Sequence, residues 1–293
     1  MISLDLNQVM IANIMSLYGK HISNTPVELS LFRSTTLNTI RSLKTKFEKK
    51  YGELVIATDG KRSWRKEAFP QYKANRKKSR DTSDIDWSLI FTSLNTVRDE
   101  IKEVFPYRVI HVDTAEADDI IGTIVIELSS KLSKQNQEKI LILSGDKDFI
   151  QLQRYNSGVR VEQYDPVRKK FITSENPTMF MKEHILQGDV GDGVPNFLSP
   201  DNTFTDHTRQ KPVLKKNLQQ WLMCSNPEEF CNDETLKNYK RNEMLIDLSK
   251  TPDQIKAKIL QEYEAQSGKD RSKIYSYMVK NKLKVLLESI HDF

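Results

Sequence analysis

Carboxylates in this chain come in tight groups. SGDKDF sets Asp146 and Asp148 with one residue between them, EADD sets Glu116, Asp118 and Asp119 within four residues, and GDVGDG sets Asp189 and Asp192 three apart. Single acids, Asp5 and Asp59, sit in ISLDLN and at the end of ELVIATDG. Like charges held together cost stability unless something positive lies between them. No histidine and no Ser–His pairing stands out beside these acids, so a side-chain nucleophile has no candidate. Hard oxygen ligands suit Mg²⁺ or Mn²⁺. Two such ions, about 3.5–4 Å apart, hold a scissile phosphate, acidify a bound water and stabilise the leaving oxygen. The chemistry predicted is hydrolysis by metal-activated water.

The elements that must position these acids are legible too. Four apolar runs, ISLDLN, ELVIATDG, YRVIHVD and KILILSGDKD, each reach an acid. Between them Ile120, Ile121, Ile124, Val125 and Leu128 repeat at the spacing of one helix face, as do Leu31, Leu37, Ile40, Leu43 and Phe47. Strands alternating with helices predict an α/β fold with a mostly parallel central sheet flanked by helices. Ligands bind such sheets at the carboxyl ends of the strands. In DTAEADD, Asp113 is expected to cap a helix with Glu116 as its capping-box partner. Read alone, the EADD acids suit a helix start equally well, and GDVGDG is an ordinary turn that lacks the spacing of a calcium loop.

At 293 residues, 38% hydrophobic and 29% charged, the chain is long enough for one large domain with a smaller lobe and has the composition of a soluble globular protein. No apolar run approaches the roughly 20 residues of a membrane helix, and the first residues do not read as a secretory signal. Cys224 and Cys231 lack a nearby histidine pair, so a reduced chain is the simplest reading, with a disulfide the alternative. Net charge is only +5, but nine of the 45 basic residues fall between Lys61 and Arg80. That segment, GKRSWRKEAFPQYKANRKKSR, interleaves its cations with Trp64, Phe69 and Tyr72. Cations neutralise phosphates and rings stack on unpaired bases. A solvated charged loop is the plain alternative, but the position directly after Asp59 favours nucleic acid. Trp87 and Trp221 read as packing residues.

Together EADD, SGDKDF and GDVGDGV, preceded by TDGKRSWRKEAFPQYKANR, resemble the 5′ nuclease (flap endonuclease) family. The closing IYSYMVKNKLKVLLESIHDF resembles its phage members that remove RNA primers. The resemblance implies a helical arch at about 60–98, a nuclease domain at 1–190 and a helical duplex-binding lobe at 191–293. By position, Asp5, Asp59, Glu116 and Asp118 match the first metal group. Asp146 matches an acid between the ions and contributes to catalysis, and Asp148, Asp189 and Asp192 match the second group, with Asp119 beside the set. Lys73 and Arg76 match catalytic arch residues that steer the phosphate, and Arg65, Lys66, Tyr72 and Lys77 are further nucleic-acid contacts.

Most relatives follow the GD-x-x-D turn with a glycine-rich hairpin that grips duplex through potassium. Here VPNFLSPDNTFTDHTRQKPVLKK lacks that pattern. Duplex binding is therefore expected to rest on Arg209, Lys211, Lys215 and Lys216, and potassium is left open.

The reading is a two-Mg²⁺ (or Mn²⁺) 5′→3′ exonuclease and flap endonuclease with ribonuclease H activity. Its expected substrates are RNA–DNA hybrid, flap and nicked duplex, in the cytoplasm of an infected bacterium. Expected protein partners are a phage single-strand DNA-binding protein, at the amphipathic C-terminal segment, and a sliding clamp. The clamp contact that relatives make through an arm before the first acid is not expected, since four residues precede Asp5. The alternatives are a PIN-like single-stranded ribonuclease and a non-catalytic nucleic-acid-binding replication protein.

Overall fold

The computed structural model describes residues 1–19, 27–131, 138–156 and 159–293, without the side chains at 77–79 and 81. Four strands form where the apolar runs predict them: β1 (Ile2–Asp5), β2 (Leu54–Thr58), β3 (Arg108–His111) and β4 (Glu138–Leu143). They pair in parallel in the order β3-β2-β1-β4. Two strands that periodicity did not signal extend the sheet: β5 (Val159–Asp165) beside β4 and antiparallel β6 (Lys170–Ile172) at the edge.

Successive strand residues point to opposite faces, and each face has its own core. Ile2, Leu4, Leu54, Ile56, Leu141 and Leu143 pack on one side against α1 (Leu6–Tyr18), α2 (Leu29–Tyr51) and α5 (Trp87–Val104). Val55, Ala57, Ile110, Ile140 and Ile142 pack on the other against α6 (Ala117–Lys131) and a 3₁₀ helix, Lys147–Tyr155. Both faces are therefore covered, as a buried parallel sheet requires.

Between β2 and α5 the basic segment forms two short helices, α3 (Trp64–Ala68) and α4 (Ala74–Asp81). The second half of α5 belongs to the core through Leu94, Val97 and Ile101. After β6 come α7 (Pro177–Gln187), α8 (Lys215–Met223) and α9 (Asp233–Ile246). They build a third core from Ile185, Phe197, Leu218 and Tyr239, joined by Phe69 and Tyr72. The remaining helices return to the sheet. Ile255 and Ile259 of α10 (Asp253–Ala265) join the α6 core. Ile274 and Met278 of α11 (Ile274–Lys280), Leu286 of α12 (Lys284–Leu287) and Phe293 join the α5 core. Among the described residues no helix is long and apolar enough to cross a membrane.

Candidate active site

The strand register brings the first acids level. Leu4 lies beside Ile56 and Leu143, so the carboxyl ends of β1, β2 and β4 lie level at one edge of the sheet. Asp5 ends β1 and caps α1, accepting from the Gln8 amide at 3.1 Å. Asp59, one residue past β2, accepts from the Ala117 amide at the start of α6 at 2.8 Å. Asp118 stands in the first turn of α6. Asp146 caps the 3₁₀ helix, and Ser144 ties the two ends together by donating to Asp5 at 3.2 Å while accepting from the Asp146 amide.

Asp189 and Asp192 come from the turn after α7. Asp189 and Val194 exchange two backbone bonds, at 2.8 and 2.7 Å, across that turn. Gly193 has φ +72°, and a Cβ there would lie 3.1 Å from the Gln71 carbonyl. Glycine thus lets the acidic turn press against the Tyr72–Arg76 segment. The clamp is dense: the Lys73 amide donates to the Asp192 carbonyl at 2.7 Å, Asn75 to Val190 at 3.1 Å and Arg76 Nε to Gly191 at 3.1 Å.

Eight acids line one cleft of about 680 Å³: Asp5, Asp59, Glu116, Asp118, Asp146, Asp148, Asp189 and Asp192. Asp5, Asp59, Asp118 and Asp146 form its floor, and no described lysine, arginine or histidine makes an ion pair with any of them. Burial first, then Asp59 and Asp146, push the Asp5 carboxyl up to about 7. Burial and Asp148 push Asp146 up to about 6. Asp59 is raised by burial, and Asp118 is raised well above the usual range by burial and Asp146.

The other four acids have partners in the chain. Glu116 accepts from Lys73 Nζ at 2.6 Å, from the Tyr72 hydroxyl at 2.8 Å and from Arg65 at 3.3 Å. Burial opposes its ionisation, but Lys73 and Arg65 outweigh it and hold the carboxyl below its ordinary value. Asp192 meets Tyr72 at 2.7 Å, Lys73 at 3.5 Å and Arg76. Asp148 and Asp189 share His184, whose Nε2 lies 3.0 and 3.5 Å from them. Burial disfavours protonation of His184, yet its bonds to the two acids push it up to about 10. The facing atoms of Asp148, His184 and Asp189 lie within 4.8 Å of one another, so a metal ion held by all three would have to displace the His184 proton that the two acids share. Sequence reasoning missed His184. Its signal was one turn of helix ahead of GDVGDG in KEHILQGD.

Four expectations are corrected. Asp119 is apart from the cleft. It is fully buried and accepts from Trp64 Nε1 at 3.1 Å, Arg65 at 2.9 Å, Thr251 at 2.8 Å and the Glu116 amide at 2.9 Å, which uses its lone pairs without a metal. Arg65 does not face substrate: it is 2% exposed and its Nε donates to the Leu245 carbonyl of α9 at 2.8 Å. Trp64, Phe69 and Tyr72 are each buried in a core, so none offers a free face to a base. Asp113 is likewise no helix cap, since it is exposed and pairs with Arg62 at 2.8 Å.

Lys66, Arg76, Arg209, Lys211, Lys215 and Lys216 are exposed. The side chain of Lys77 lies outside the described residues.

The family model of the 5′-3′ exonuclease N-terminal resolvase-like domain matches residues 23–185, more than half of the chain. The chain belongs to the 5′-3′ exonuclease family. A second model, the C-terminal domain of T4 RNase H, matches residues 175–293. The chain is 33% identical over 276 residues to Ribonuclease H of Enterobacteria phage T4, covering 91% of this chain and 88% of that one. It is 32% identical over 155 residues to a 5′-3′ exonuclease of Buchnera aphidicola, 50% of each chain. The fold matches that of the phage T5 D15 protein co-crystallised with metal ions, with a TM-score of 0.61 at 16% identity over 91% of this chain and 99% of that one. As a member of this family the chain is a nuclease, a hydrolase of phosphodiesters.

Proposed function

We propose that this nuclease holds two divalent ions, Mg²⁺ or Mn²⁺, and cleaves from a 5′ end or at a 5′ flap on RNA–DNA hybrid, flap and nicked duplex. The observation that carries this reading is the floor of the cleft: four acids converge there with raised pKa values and no paired cation among the described residues. Such a donor set fits hard cations. Bound ions supply an activated water and charge neutralisation at the scissile phosphate.

Asp5, Asp59, Glu116 and Asp118 make the first group and Asp146 lies between the groups. Asp148, Asp189 and Asp192 make the second, which His184 orients. Lys73 and Arg76, now paired with Glu116 and Asp192, are placed to transfer to a substrate phosphate. Arg209 and Lys211 line a groove of about 640 Å³, which together with Lys215 and Lys216 is the proposed duplex contact.

The deciding assay compares end-labelled 5′-flap duplex, nicked duplex, RNA–DNA hybrid and free single-stranded RNA, with Mg²⁺ and with chelator. Metal-dependent release of 5′-terminal products from the duplex substrates is expected. Preferential cutting of free RNA would instead favour a single-strand ribonuclease. The exposed Tyr275, Val279 and Val285 on and beside α11 and α12 are the proposed surface for a single-strand DNA-binding protein. Unchanged association after Val285→Asp would refute that surface.

A further inference from the structure

The cleft has a second wall, made not of acids but of rings. Trp87 and Phe91, in the first turns of α5, line the same cavity as Asp5, Asp59 and Asp146. Their centroids are 6.0 Å apart with planes at 32°. Both are half-buried, resting on the core through one side and open to the cleft on the other. Arg80 of α4 lies over the pair, its guanidinium carbon 5.9 Å from the Trp87 ring and 5.2 Å from the Phe91 ring. The indole Nε1–H of Trp87 is shielded from solvent and finds no acceptor among the described residues.

We propose that Trp87, Phe91 and Arg80 form a subsite for one unpaired nucleotide of the substrate strand, its base stacked on the rings and its phosphate on the guanidinium. The inference rests on the nuclease reading. It assigns the stacking role to aromatics outside the core, since Trp64, Phe69 and Tyr72 are buried. Three features favour a nucleotide over an apolar ligand. A cation lies over the rings, both rings line the cavity that holds the acids, and those acids are where the phosphodiester must lie. Stacking on an aromatic face tolerates any base, so the subsite recognises an unpaired base without selecting sequence.

The test uses the full chain in chelator, where binding is read without cleavage. A 5′-flap duplex carries 2-aminopurine at the flap base adjoining the duplex, and a matched duplex carries an abasic residue there. For the wild-type chain we expect quenching of 2-aminopurine on binding and tighter binding of the base-bearing duplex by about tenfold. Trp87→Leu should remove both the quenching and that preference while binding the abasic duplex as the wild type does, and Trp87→Phe should restore most of the preference. Equal weakening of both duplexes by Trp87→Leu, with quenching kept, would mean that Trp87 only packs against the core and would overturn the subsite. Failure of the wild-type chain to bind either duplex would instead overturn the nuclease reading beneath it. Phe91→Leu gives a second reading should Trp87→Leu fail to fold, and it too is expected to reduce the preference.

Discussion

The floor and the rim of the cleft contain the same kind of residue under opposite electrostatics. On the floor, Asp5, Asp59, Asp118 and Asp146 are desolvated, face one another and are all raised in pKa. On the rim, Glu116 and Asp189 are lowered, because Lys73, Arg65 and His184 supply positive charge that outweighs burial. Asp192 remains raised by burial despite Lys73 and Arg76, which makes it intermediate. The difference teaches that the floor is built for charge from outside the chain. The rim carries its own cations, which a metal ion or phosphate bound there would have to displace.

The sharpest way to break this contrast is to remove one floor charge. Asp146→Asn keeps the helix cap but removes a full negative charge between the two groups of acids. Cleavage is expected to fall about 10³-fold, with binding of flap duplex in chelator retained. On the rim, His184→Ala orients its acids less well and is expected to cost about 10-fold in apparent metal affinity, read from the Mn²⁺ dependence of the rate. Equal losses in the two variants would erase the distinction.

The second test concerns what holds the rim in place. Arg65 joins Glu116, Asp119 and the α9 carbonyl of Leu245 behind the cleft. Arg65→Ala leaves Asp119 charged and fully buried, and removing one partner of a buried pair costs about 3–5 kcal/mol. Arg65→Lys should recover little, because one ammonium cannot reproduce the fork that reaches three acceptors. Denaturant unfolding of the two variants checks this. A loss below about 1 kcal/mol for Arg65→Ala would show that the network does not hold the arch base to the helical lobe.

This network also explains what the sequence could and could not reveal. Asp5, Asp59 and Asp146 were legible because each follows an apolar run, and a parallel sheet must gather its strand ends. Asp118 and Asp119 look equivalent in EADD, yet adjacent helix residues are turned about 100° apart. One therefore faces the cleft and the other the α6 core. Nothing in the local pattern says which. Arg65 and Tyr72 misled for a related reason: a basic, aromatic segment reads as a surface. Only the cores, with Phe69 and Tyr72 packed under α7–α9 and Trp64 in the α6 core, show that the segment's rings are anchors. His184 was missed because its partners lie 36 and five residues away, across a helix and a turn, and only the nearer of them shares its motif.

Opposite electrostatics predict opposite pH dependence. A carboxyl raised on folding makes the folded chain bind more protons than the unfolded one, so stability falls as pH rises from the ordinary carboxylate range to the folded pKa. For Asp146 and Asp5 that window ends at about 6 and about 7. The lowered rim acids, Glu116 and Asp189, contribute in the other sense, and their stabilisation is present above the ordinary range and lost as pH falls through their folded values. His184, raised to about 10, contributes fully below its ordinary pKa and loses its contribution as pH rises through 10. Melting of the metal-free chain should therefore weaken between about pH 4 and 7. Asp5→Asn should stabilise the metal-free chain at pH 8 by on the order of 2 kcal/mol, and Mg²⁺ should flatten the wild-type slope. A metal-free chain that grows steadily more stable across that window would contradict the raised floor.

The smallest expected effect lies outside the cleft. Arg209, Lys211, Lys215 and Lys216 are exposed and make no ion pair with a described residue, in contrast to Lys73 and Arg76, which are already committed to Glu116 and Asp192. A free surface lysine that meets a phosphate releases counterions, and each such contact adds about 0.9 to the salt slope of duplex binding. Lys73 must first leave its carboxylate, so its contribution to that slope is partly offset by the ion pair it gives up. Lys215→Ala should accordingly lower the slope by about 0.9, whereas Lys73→Ala should lower it by less while costing far more in turnover. Anisotropy titrations across a salt series in chelator measure both. If Lys73→Ala changed the slope more than Lys215→Ala, the rim cations would already be serving substrate rather than neutralising the acids, and the contrast between floor and rim would not hold.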